Sequence, residues 1–146
     1  MTQPQVRLQV SRIIKAERKK VFEAWIKPEI MKKWFCPQDL DVAEVSADLR
    51  VGGKYRIAMK DIHKTFVTFG TYRQIVPNEK LVFTWEWEEP GQSGSVVTVD
   101  FRDKDGGTEV VVTHERFTDM EGEKTHEEGW TSALLNLAQK VFNETK

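Results

Sequence analysis

A single cysteine, Cys36, leaves the 146-residue chain without an internal disulfide, so packing and hydrogen bonds alone must hold its fold. Charge of one sign is also missing: 22 Lys and Arg against 23 Asp and Glu give a formal net of -1. That balance offers no electrostatic pull toward nucleic acid or an acidic membrane surface. No apolar run approaches the length of an integral membrane segment, and the opening MTQPQVRLQV lacks the basic-then-apolar layout of a secretory signal. A reducing cytoplasm is therefore the expected location. A GxSxG elbow, a phosphate loop and an EF-hand are all absent. The three histidines, His63, His114 and His126, share no metal-ligand spacing, so neither a metal nor a cofactor is expected. Without repeats or linkers, residues 1–146 read as one domain.

What is present is organised around the C-terminal stretch Thr125 to Phe142, THEEGWTSALLNLAQKVF. Trp130, Ala133, Leu134, Leu137, Ala138 and Val141 recur at the spacing of one helix face, with Glu127, Glu128, Thr131, Ser132, Gln139 and Lys140 on the other. Such a helix needs a surface to lie on. Thr125-His-Glu-Glu128 has the form of a capping box and predicts the helix start. An overlapping box, Thr118-Asp-Met-Glu121, adds the option of an earlier turn, weakened by Gly122. Gly129 costs roughly 1 kcal/mol relative to Ala inside a helix, which points to a close neighbour, with Trp130 turned inward.

The rest of the chain supplies that surface. Val6, Leu8 and Val10 alternate with polar residues as in a half-buried strand. AERKKVFEAWIKPEIMKKWF predicts two short helices, with stripes Val21, Phe22, Trp25, Ile26 and Ile30, Met31, Trp34, Phe35, separated at Pro28 and ended by Pro37. Their lysines and Arg18 read as a solvated basic face. From Asp39 to Phe117 alternation predicts strands through Tyr55, Ile57 and Met59, then Thr65 to Val76. Further strands run through Leu81, Phe83, Trp85 and Trp87, through Val97, Val99 and Phe101, and over Thr108 to Phe117. Asp48–Gly53, Pro77-Asn78, Pro90–Gly94 and Asp105-Gly-Gly107 supply the turns. The pattern is α+β: a curved six- to seven-stranded antiparallel sheet around a long C-terminal helix, with two short helices after the first strand. That first strand is expected to pair with the last ones.

Val21-Phe-Glu-Ala-Trp25, Trp34-Phe35, Asp48-Leu-Arg-Val-Gly-Gly-Lys-Tyr55, Gly70-Thr-Tyr72, Pro77 to Trp85, Gly107 to His114 and Gly129-Trp130 follow one another in an order that resembles a known family. The chain is similar, from about Val10 to Val141, to the START-like helix-grip superfamily (SRPBCC), in the group named after the activator of heat-shock protein 90 ATPase. The resemblance implies a long helix gripped by the sheet, with an apolar cavity between them. It implies a scaffold and not a particular chemistry.

The residues expected to line that cavity are Tyr72, Phe83, Trp85, Trp87, Val99, Phe101, His114, His126, Trp130 and Leu134. Aromatics suit apolar or cationic ligands, and His114, His126 and Tyr72 would fix orientation; ordinary core packing competes for every one of them. Alternation alone leaves open which of Phe66, Phe69 and Tyr72 point inward. Glu86, Glu88, Glu109 and Glu115 alternate outward, which argues against a buried acid–base pair, and no catalytic residue is assigned. Three functions remain. The first is a binding module for a small hydrophobic or amphipathic molecule, with a weak homodimer left open as a further partner. The second is an enzyme of the cyclase or hydrolase type in the same cavity. The third is a co-chaperone, ranked last because the activators that name the group carry a separate N-terminal domain that this sequence does not contain.

Overall fold

Period-two burial turns the middle of the chain into sheet: along the strand Ser95–Lys104, Ser95, Val97, Val99 and Phe101 are buried while Val96, Thr98 and Asp100 are half-exposed. The computed structural model describes residues 6–36, 40–88, 95–117 and 120–143, and their side chains apart from positions 6, 87, 116, 117 and 120–126. In chain order the elements are β1 (Val6–Ile14), α1 (Arg18–Ile26), α2 (Pro28–Met31), β2 (Asp41–Ala47), β3 (Lys54–Lys60), β4 (Thr65–Val76), β5 (Lys80–Trp87), β6 (Ser95–Lys104), β7 (Gly107–Phe117) and α3 (Met120–Asn136). A π-helical turn, Leu137–Val141, follows α3.

The strands form one curved antiparallel sheet of seven, ordered β1-β7-β6-β5-β4-β3-β2. β1 pairs with β7, as the sequence predicts, Val10 lying opposite Val112. Consecutive strands β1 and β2 therefore sit at opposite edges, and α1 and α2 carry the chain across between them. α1 packs on β6 and β7, α2 on β2, and α3 along β1 and β7. All three helices contribute to one core with the inner face of the sheet.

Two helix limits differ from the sequence reading. α3 begins at Met120, so Thr125–Glu128 lies inside the helix; Thr118 and Asp119 of the alternative box lie outside the described residues. One glycine's penalty at Gly122, about 1 kcal/mol, does not stop a helix whose next turns are held by buried Trp130 and Leu134. The second short helix ends at Met31, well before Pro37, which is also outside the described residues. There the backbone tightens to i→i+3 bonds, Lys33 N–H to Ile30 O at 2.9 Å and Trp34 N–H to Met31 O at 3.2 Å. That turn brings Trp34 and Phe35 inward, and the Trp34 indole N–H donates to Ala24 O at 2.9 Å.

The β4–β5 ladder has a gap next to a register shift between Tyr72 and Gln74. Regular pairing holds at Phe69–Glu86 and Tyr72–Phe83 and lapses between them. Side chains fill the missing bonds: Thr71 N–H donates to Thr84 Oγ1 at 2.8 Å, and Tyr55 O–H, reaching over Gly70 from β3, donates to Thr84 O at 2.6 Å. A methyl group on Gly70 would collide with that same Thr84 carbonyl. Gly70→Ala should therefore cost at least about 2 kcal/mol, within the usual range for overpacking, read as a fall in the urea midpoint at unchanged slope. An unchanged midpoint would mean that β4 and β5 separate freely at this gap.

Candidate functional site

The inner face of the sheet carries an aromatic wall, in which rings share the inward positions with buried aliphatics such as Ile57, Leu81, Val97 and Val99. On the β3–β5 side Tyr55, Tyr72 and Phe83 form a triangle, with centroids 5.7, 5.4 and 6.2 Å apart. Phe83 leads to Trp85, and Trp85 meets Trp130 of α3 at 5.1 Å. Trp130 stacks on Trp25 of α1 at 6.0 Å and 24°, and Phe35 stands edge-on to both. Trp25 in turn packs edge-to-face on Trp34 at 4.7 Å. One run of rings thus joins the sheet, the cross-over helices and α3.

His114 sits in this wall, fully buried between Trp85 and Trp130. The Trp130 indole N–H donates to His114 Nδ1 at 3.1 Å, and Ser95 Oγ lies 2.6 Å from Nε2. An indole nitrogen is a donor only, so Nδ1 is the acceptor and Nε2 carries the hydrogen. That hydrogen goes to Ser95 Oγ, whose own hydrogen goes to Trp85 O at 3.2 Å. The serine and histidine are close enough for a nucleophile and base, but the tautomer is the wrong one: the nitrogen facing Ser95 has no lone pair to take its proton. The arrangement ties α3 to β7, β6 and β5.

Burial perturbs both wall tyrosines. Tyr72 is pushed up to about 12, first by burial and then by the Asp48 carboxylate. Tyr55 is raised well above the ordinary value by burial, with Tyr72 and Glu86 adding to it and the Thr68 hydrogen bond opposing. On the outer face of the sheet, at the β4–β5 gap, a depression of about 670 Å³ is lined by Lys54, Arg56, Phe69, Thr71, Glu86 and Glu88 among others. Arg56 bridges Glu88 at 3.4 Å and Glu44 at 4.0 Å across it.

Of the residues expected at the cavity, Tyr72, Phe83, Trp85, His114 and Trp130 come together in the wall. Val99 and Leu134 are buried in the same core. Phe101 lies further along, packed on Phe22 at 5.3 Å and Trp25 at 6.2 Å beneath α1. The side chains of Trp87 and His126 lie outside the described residues. Tyr72 points inward, whereas Phe69 faces outward between its cross-strand neighbours Arg56 and Glu86. Phe66 is half-buried with Lys64 above its ring at 5.0 Å. His63, in the charged turn between β3 and β4, is exposed. Sequence reasoning missed Trp25, Phe35 and Tyr55 as members of the wall; each stood in a recognised apolar stripe, but nothing in the stripe named its partner. Among the described residues no cluster could hold a metal ion, and no helix is long and apolar enough to cross a membrane.

Two measurements follow from this geometry. In a ¹⁵N–¹H spectrum of the imidazoles His114 should show a single protonated nitrogen, Nε2; a proton on Nδ1 would overturn the Trp130 bond and restore a base facing Ser95. Second, the unfolded chain loses its tyrosine protons near pH 10 while folded Tyr72 keeps its own to about 12. Stability is therefore intact below pH 10 and declines as pH rises from 10 to 12, by up to about 1.4 kcal/mol per pH unit for each such tyrosine. Tyr72→Phe should flatten that decline, and equal slopes in both proteins would show Tyr72 titrating freely.

Solved structures share this architecture. A protein of Chromobacterium violaceum superposes with a TM-score of 0.86 at 22% identity, over 95% of this chain and 98% of its own. The AHSA1 protein of Silicibacter pomeroyi gives 0.82 at 23%, over 96% and 100%. A protein of Rhizobium leguminosarum gives 0.81 at 26%, over 98% of each chain. No curated protein matches the chain. The family model described as Activator of Hsp90 ATPase homolog 1-like protein matches residues 15–141, which takes in α1, the strands from β2 to β7, all of α3 and the turn after it. On that match the chain belongs to the Activator of Hsp90 ATPase homolog 1-like family.

Proposed function

We propose that this protein is a binding module that takes a small hydrophobic or amphipathic molecule between α3 and the inner face of the sheet. The observation that carries the reading is the aromatic wall itself, continuous from Tyr55, Tyr72 and Phe83 through Trp85 to Trp130. α3 runs mainly along β1 and β7, while the first three of these rings belong to β3, β4 and β5, on the far side of the sheet from β1. The wall thus extends beyond the strip on which the helix lies. Ligand sites are typically of this composition, mostly apolar with a few polar groups that fix orientation. In the tautomer that the Trp130 bond sets, His114 presents an N–H and no lone pair to Ser95, which favours a structural role for it in this reading.

A bicyclic aromatic probe, 2-naphthol, should bind with micromolar affinity, about 8 kcal/mol, and change the tryptophan emission. Leu134→Phe, which adds bulk on the buried face of α3 one turn after Trp130, should weaken it at least about tenfold. The reading is abandoned if emission is unchanged up to the solubility limit of the probe and a native mass spectrum of the purified protein carries no small molecule.

A further inference from the structure

Polar atoms in this interior mostly have partners: Trp34 Nε1 donates to Ala24 O, Trp130 Nε1 to His114, and Thr68 Oγ1 to Glu86 O. The buried atoms without a hydrogen-bond partner among the described residues include the indole Nε1 of Trp25 and the amide Oδ1 of Asn136. Both residues are at least nine-tenths buried, Trp25 at 2% and Asn136 at 0% exposure. Their needs are opposite, since the indole N–H can only donate and the amide oxygen can only accept. Each carries a desolvation penalty that a partner would relieve.

The two are tied to the same short segment. The Trp25 ring packs on Trp34 and Phe35, and Asn136 Nδ2 donates to the next residue's carbonyl, Cys36 O, at 2.8 Å. Asn136 is also the last residue of α3 before the π-helical turn Leu137–Val141. Such turns are rare and frequently stand at functional sites.

We infer that the interior selects an apolar molecule carrying a hydroxyl group, with Trp25 Nε1 donating to the hydroxyl oxygen and Asn136 Oδ1 accepting its hydrogen. A hydroxyl both accepts and donates, as this pair of atoms requires. The inference rests on the binding reading above and adds the chemical class of the ligand. An interior that recognised only apolar surface would prefer a hydrocarbon to its hydroxylated analogue, because hydroxyl desolvation would go uncompensated.

The test is a matched pair of probes, naphthalene and 2-naphthol, titrated into the full chain and read by tryptophan emission. Wild type should bind 2-naphthol at least tenfold more tightly than naphthalene. Trp25→Phe keeps a ring against Trp34 and Trp130 but removes the donor; Asn136→Leu removes the acceptor. Each should abolish the preference, read as the ratio of 2-naphthol to naphthalene affinity within the same variant. If Trp25→Phe fails to fold, the wild-type indole N–H resonance of Trp25 serves instead, and should shift with 2-naphthol and stay put with naphthalene. Binding of neither probe sinks the binding reading and this inference together. Equal binding of both, or a preference that survives both substitutions, overturns the hydroxyl inference alone.

Discussion

Everything in this fold meets at the hydrogen bond from the Trp130 indole to His114 Nδ1. It joins α3 to β7 through a buried polar contact, inside an interior built of rings and aliphatic side chains. A buried imidazole is tolerable only if its nitrogens are satisfied, and here each has a partner, with Ser95 passing the chain on to the Trp85 carbonyl. Because that chain runs through three strands and one helix, the rotamers of Trp130, Trp85 and His114 are fixed together. The aromatic contacts around them, Trp85–Trp130 at 5.1 Å and Trp25–Trp130 at 6.0 Å, then have defined geometry.

The pairing of β1 with β7 determines what that interior is made from. It places the first two strands at opposite edges of the sheet, so the connection between them has to cross the concave side. α1 and α2 are that connection. Phe22 and Trp25 of α1, with Trp34 and Phe35 of the turn after α2, become as much part of the core as anything on α3. The helix is gripped by the sheet on one side and by the cross-over segment on the other. The interior is therefore shared among three helices and the sheet, where the sequence reading assigned it to one helix and the sheet.

Periodicity made the scaffold legible: alternation at Tyr55-Ile57-Met59 and Val97-Val99-Phe101 fixed strands and faces, and the spacing Trp130, Leu134, Leu137 fixed the buried side of α3. The turn residues read correctly as well, Asn78 and Asp105 adopting the positive φ values of 64° and 50° that tight turns ask for. What periodicity could not reveal was long-range partnership. Nothing local tells that Tyr55 will cross Gly70 to reach Thr84, or that Asn136 will bond to Cys36 a hundred positions away. The box at Thr125 places the start of α3 too late, whereas the overlapping box Thr118–Glu121 offers the earlier turn that forms. Capping patterns report local preference, whereas the extent of this helix is set by tertiary contacts further along it.

The energetics of binding explain why a few polar atoms would matter in so apolar a place. A micromolar complex corresponds to about 8 kcal/mol, which at about 25 cal/mol per Å² needs roughly 300 Å² of apolar surface withdrawn from water. The wall rings are already buried before any ligand arrives, Trp25, Tyr72, Phe83, Trp85 and Trp130 all below 5% exposure. They have little surface left to contribute, so the area must come from the ligand itself, less whatever it costs to part the rings. Molecules of similar size and apolarity would then bind alike, and wall area alone could not choose between them. Discrimination falls to atoms whose bonds are unmade in the absence of a ligand. In the described core Trp25 Nε1 and Asn136 Oδ1 fit that condition, whereas His114, with both nitrogens engaged, does not.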